Sequence, residues 1–160
     1  MRVLKTFSLF FTIYSFFVII SVFINNEVLS LISFIFAFIS AFFLRREFKK
    51  IQQFKIPYVG AYLMVLGYLG IIVGIPISSI SFIHLLGLTL VLVGALFVDI
   101  GILTALVWGN YQLSRLFHDS RYSMVAMLFL IGLILSFTFI KVAGDIIYLI
   151  SSLFILAESL

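Results

Sequence analysis

Asp99 is the residue of this chain best placed to do chemistry. It sits in the apolar run VLVGALFVDIGILTALVW, and a carboxyl group among that much hydrocarbon is costly unless it serves a purpose. Two readings stay open: an intramembrane proton or cation site, or a protonated aspartate hydrogen-bonded between helices. His84 and His118 fall on opposite sides of the bilayer in the topology derived below, so they cannot share a metal or haem within one chain. There are no cysteines, which removes thiolate ligands, cysteine nucleophiles and disulfides. HExxH, GxSxG and a Gly-rich phosphate loop after a strand do not occur, and no two carboxylates share a helical face in the membrane. The sequence therefore leads us to expect no catalytic centre, no cofactor and no metal.

The elements that hold Asp99 must be membrane helices. Hydrophobic residues make up 64% of the 160 positions and charged ones 10%, with a mean hydropathy of +1.35, which a water-soluble domain could not carry on its surface. We expect an all-α polytopic transmembrane bundle forming a single domain over 1–160. Crossing the hydrocarbon core takes about 20 apolar residues, and six such runs are predicted: 7–24, 28–44, 58–75, 81–108, 122–140 and 143–157. Pro57 suits a helix start and Pro76 a stop. Asp119 or Ser120 is the expected N-cap of the fifth span. The first run is too long for a signal peptide and lacks a small-residue cleavage site, so it reads as a retained span.

Charge orients the bundle. Arg2 and Lys5 precede the first span, Arg45, Arg46, Lys49, Lys50 and Lys55 join the second to the third, and Arg115 and Arg121 join the fourth to the fifth. Lys141 alone falls on the other side, and basic loops stay inside, so both termini are expected in the cytoplasm, with the chain in the cell (cytoplasmic) membrane. The net charge of +4 and pI near 9.5 thus arise from topology determinants, and nucleic acid is not an expected partner. Trp108, Tyr111 and Tyr122 flank inner helix ends, as aromatic belt residues do. Leu44, Phe48 and Ile51 continue a helical apolar stripe past the second span, suited to docking a partner or anionic headgroups, or merely connecting two helices.

Glycines mark how two spans should pack. Gly60, Gly67 and Gly74 recur every seven residues in the third, and Gly87, Gly94 and Gly101 do so in the fourth. A heptad keeps one narrow stripe against a neighbour, and small residues let backbones approach in lipid. Because the two spans are antiparallel, 60 should lie level with 101, 67 with 94 and 74 with 87, around a turn at Ile80 and Ser81. Asp99 is five residues from Gly94, about 7–8 Å at 1.5 Å per residue, and rotated from it by about 140°. It should point away from the third helix, toward Thr12, Tyr14, Ser40 or Ser123.

The stretch Leu44–Leu135 carries LRREFKK after a span, then YVGAYLMVLGYLG and LGLTLVLVGALFVDIGILTALVWGNYQLSRLFHDSRYSM. It resembles a family of small multi-span archaeal membrane proteins of unknown function, which implies an archaeal cytoplasmic membrane and about six helices but no activity. Asp99 departs from that pattern, which favours an apolar residue there. The expected role is a structural or accessory subunit of a membrane complex, associating through the bilayer with other membrane subunits or itself, and not an enzyme. The alternative is a small oligomeric proton- or cation-linked transporter or channel using Asp99, against which stands the want of a second buried polar group.

Overall fold

The computed structural model describes residues 4–24, 26–137 and 141–159, without the side chains of Glu27 and Lys141. Arg2, Asn25, the 138–140 end of the predicted fifth span and the Lys141 side chain lie outside the described residues. Helix α1 spans Lys5–Ile24, α2 Glu27–Lys49 and α3 Lys55–Ser78. One continuous rod follows, made of a 3-10 turn at Ser81–Ile83, α4 at His84–Gly101, a π-helical segment at Ile102–Trp108 and α5 at Gly109–Phe117. The chain then turns into α6, Ser120–Ser136, and α7, Lys141–Ala157.

Four helices are long and apolar enough to cross a membrane: Lys5–Ile24, Val28–Lys49, Lys55–Ser78 and Ser81–Phe117. Helices α6 and α7 have 17 residues each, or about 25 Å at 1.5 Å per residue, which meets the lower limit of about 17 for a span. Neighbours in sequence pack together, α1 on α2, α2 on α3, α3 on α4 and α6 on α7. Contact between α7 and α1 closes the ring, and the π segment touches both α3 and α6. Inside the ring lie Phe7, Phe11, Met64, Tyr68, Leu106, Leu113 and Phe129, all fully buried.

Local chemistry explains most boundaries. The Asn26 side chain accepts from the Leu29 amide at 3.0 Å and caps α2, while Asp119 Oδ1 accepts from the Arg121 amide at 3.0 Å and caps α6. Each satisfies an amide that the first helical turn leaves open. His118 ends α5 in the left-handed conformation, with φ 53°. There its amide and that of Asp119 both return to the Ser114 carbonyl, closing the helix end.

Two sequence expectations need correction. Pro76 does not stop α3 at Ile75, because the helix runs on to Ser78 with Pro76 inside it. The proline forgoes the amide bond to the residue four before it, and beyond it Ser78 Oγ donates to the Ile75 carbonyl at 2.7 Å at the helix end. The fourth helix does not end at Trp108, since the polar residues 110–115 continue it to Phe117 as an amphipathic turn burying Asn110 and Leu113. Of the apolar stripe past the second span, Leu44 and Phe48 are buried in the core and Ile51 is partly buried against it, so the stripe connects two helices. The Phe48 and Phe54 rings lie 5.5 Å apart, and Phe48 fits against the bare face of Gly109.

Candidate functional site

Helices α3 and α4 meet backbone to backbone along their glycines. A Cβ built on Gly94 would stand 2.7 Å from the Gly67 carbonyl oxygen, and one on Gly67 2.5 Å from that of Gly94. On Gly101 it would lie 2.7 Å from the Gly60 oxygen, and on Gly74 2.9 Å from the Gly87 oxygen. The structure therefore brings together 60 with 101, 67 with 94 and 74 with 87. Ordinary carbon–oxygen contacts fall near 3.3–3.6 Å, so no larger residue fits at these points without moving a helix.

A polar cluster forms where side chains of α1, α3 and α7 meet. Tyr68 of α3 is fully buried next to Gly67. Its hydroxyl pairs with that of Tyr14 on α1, with ring centroids 6.0 Å apart in an edge-on arrangement. Asp99, partly buried, stands within electrostatic reach of Tyr14, Tyr68 and Tyr148 of α7. Of the partners expected for Asp99, Tyr14 is thus one whose charge environment it shares.

A second carboxyl group enters from α7. Asp145 is 6% exposed and faces the same Tyr14 and Tyr148. The expected want of a second buried polar group is therefore corrected. Asp145 stands so near the polar start of its run that the count of apolar residues passes it to the boundary, while the helix starts at Lys141 and carries it inward. Its signal was available: Asp145, Tyr148 and Ser152 are spaced i, i+3, i+7, which is one helical face, and all three are buried.

Small residues again make the room. Gly144 meets Gly132 of α6, where a Cβ would come 2.8 Å from the Gly132 oxygen, and Tyr148 lies over the bare face of Gly132. Ser136 Oγ donates to the Gly132 carbonyl at 2.9 Å beside the Tyr148 hydroxyl. One turn further along, Thr12 donates to Ser152 Oγ at 2.9 Å and ties α1 to α7. Phe11 and Phe129 wall the cluster, with centroids 6.1 and 5.9 Å from that of Tyr148. Ser40 is buried but donates to its own Ala37 carbonyl at 2.7 Å.

The remaining sequence candidates lie elsewhere. His84 Nδ1 contacts the Ser78 carbonyl oxygen at one end of the bundle, and His118 ends α5. Among the described residues no group of three or more His, Cys, Asp or Glu could hold a metal ion. Arg45 stacks over Tyr58 and Tyr62, its Cζ 5.6 and 5.0 Å from their ring centroids, and donates to the Tyr58 hydroxyl at 3.3 Å. Arg46, Lys49, Lys50 and Lys55 are exposed, with Lys50 paired to Glu47 at 2.7 Å. Arg121 pairs with Asp119 at 3.0 Å and with Glu158. That partner holds the Asp119 carboxyl below its usual range through direct hydrogen bonds, and the Arg121 guanidinium is pushed up in turn.

No family model, curated protein or solved structure matches this chain. The resemblance of 44–135 to small archaeal membrane proteins gains no support from those comparisons.

Proposed function

We propose that this chain is an integral membrane protein of six crossings that passes protons or a small cation through its bundle, with Asp99 and Asp145 as the ionisable stations. The observation that carries the reading is the burial of Asp145 and Tyr148 of α7 in an aromatic interior shared with Tyr14 and Tyr68, with the partly buried Asp99 within electrostatic reach. Ionisable groups at such positions mark ion pathways and proton relays in membrane proteins. The want of a second buried polar group, which weighed against transport, falls away with Asp145.

The chemistry suits a relay. A tyrosine hydroxyl both donates and accepts, so the Tyr14–Tyr68 pair can take a proton from one neighbour while releasing its own to the next, leaving both neutral. Asp145 lies near the start of α7 and Asp99 toward the end of α4, which extends the cluster along the bundle axis. With the basic connections 45–55 and 115–121 held inside by the positive-inside bias, Asp99 serves the cytoplasmic half and Asp145 the outer half. Both termini are then cytoplasmic.

The test is proton flux in liposomes containing the purified protein and a trapped pH-sensitive dye, driven by a valinomycin potential. Flux that falls at least tenfold in both Asp99→Asn and Asp145→Asn, with yield and helicity unchanged, supports the relay. A wild-type protein that gives neither proton flux nor a cation-dependent signal refutes it. The protein is then the accessory subunit expected from sequence, identified by companions that stay with it through purification from native membranes.

A further inference from the structure

Trp108, Tyr111 and Arg115, spaced i, i+3, i+7, form a ridge at the α5 end of the rod with a cavity on each flank. One, about 350 Å³, lies against Gln53, Phe54 and Gln112. The other, a groove of about 440 Å³, runs between the π segment and α6 along Ser123, Ala126, Met127 and Leu130. From Ser123 to Leu130 is seven residues, about 10 Å at 1.5 Å per residue. One side of the groove is thus polar and basic, and the other descends into the apolar belt of the bundle.

The polar end is built for an anion. Arg115 lies with its Cζ 4.7 Å from the Tyr111 ring centroid and donates to the Tyr111 hydroxyl at 2.6 Å. That fixes the guanidinium at the groove mouth, and among the described residues no carboxylate pairs with it. An occupant here needs an acceptor with negative charge for Arg115 and an apolar tail for the rest of the groove.

We propose that the groove holds one anionic phospholipid. Its phosphate rests on Arg115, and one acyl chain follows Ala126, Met127 and Leu130. Arginine forks suit phosphate, and Trp108 and Tyr111 stand where amphipathic rings meet headgroups. The site needs the chain to be in a bilayer but is independent of the relay proposed above.

Trp108 is the single tryptophan of the chain, so its emission reports this groove without labels. The protein is reconstituted in phosphatidylcholine vesicles containing a small fixed fraction of brominated phosphatidylglycerol or, in parallel, brominated phosphatidylcholine. We expect the anionic quencher to compete about fivefold better, the factor that roughly 1 kcal/mol for one basic side chain near the membrane surface corresponds to. Arg115→Gln should abolish that preference while leaving quenching by brominated phosphatidylcholine, and hence the depth of Trp108, unchanged. Arg46→Gln should retain it. Equal quenching of the wild type by both lipids overturns the proposal. So does an Arg115→Gln protein that keeps the preference, or an Arg46→Gln protein that loses it, since the attraction is then diffuse.

Discussion

Placing a methyl group at Gly67, Gly94 or Gly70 tests how α3 and α4 are held together. A Cβ at Gly67 comes 2.5 Å from the Gly94 oxygen and 2.8 Å from the Val98 amide nitrogen, and one at Gly94 comes 2.7 Å from the Gly67 oxygen. Those atoms belong to helix backbone and cannot swing aside, so the helices must part by about 0.6–1 Å to restore an ordinary contact of 3.3–3.6 Å. A gap of 0.5–1 Å forfeits about a quarter to a half of each dispersion contact along the seam, in a setting where dispersion is the main attraction. Overpacking of this kind costs about 1–3 kcal/mol. At Gly70 the nearest atom is the Leu90 oxygen at 3.2 Å and the next the Gly94 Cα at 3.5 Å, which a shift of a few tenths of an ångström relieves. Gly70→Ala should therefore stay within about 0.5 kcal/mol of the parent, helped by the better helix propensity of alanine. Gly67→Ala and Gly94→Ala should each lose about 1–3 kcal/mol, and the double variant less than their sum because one separation accommodates both methyls. The assay is unfolding in mixed detergent and dodecyl sulfate micelles, followed by Trp108 emission. Equal stability of the three single variants would refute the reasoning, whatever the absolute values.

Two further outcomes follow from the turn between α5 and α6. His118 sits at φ 53°, where a side chain costs about 1–2 kcal/mol relative to glycine, so His118→Gly should raise stability by about 1 kcal/mol in the same micelle titration. Asp119 is held below the usual carboxylate range by Arg121, so its contribution is present above the unfolded value of about 3.9 and lost as pH falls through the lower folded value. Amide exchange at Tyr122 and Ser123, corrected for intrinsic rate, should accelerate on acidification below about pH 4, and Asp119→Asn should remove that dependence while preserving the cap.

Helical class and the four long apolar helices were legible because lipid leaves the backbone no other partner than itself, so each crossing is written as a long run without polar breaks. Boundaries were legible where a single side chain decides them, as at Asp119, and misleading at Pro76, where the helix runs on to Ser78 despite the missing amide. Asp145 was overlooked because a run of apolar residues says how long a helix is, not which face it buries. The Asp145, Tyr148, Ser152 spacing carried that second message. The stripe Ser8, Thr12, Ser15 on α1 speaks the same way: Ser8 and Ser15 are buried and Thr12 reaches Ser152. The π segment was not legible at all. ILTALVW is an ordinary helical string, and its wider turn arises where the rod leaves α3 and meets α6, a property of the assembled bundle.

That wider turn has a consequence for what the chain can tolerate. The rod gives its glycine face, 87, 94 and 101, to α3, and Asn110 and Leu113 to the interior beside α6. Straight α-helical phase would not keep both appointments, because one residue is worth about 100° of rotation. The interval from Gly101 to Asn110 is therefore a measured length, whose odd residue is absorbed by Ile102–Trp108 and secured by Asn110 Nδ2 on the Leu106 carbonyl at 2.6 Å. Loss of one residue there would let the segment tighten to plain α-helix with both faces kept, whereas gain of one would turn half the rod against its neighbours. Between Gly101 and Asn110 the rod has one residue to spare and no room for another.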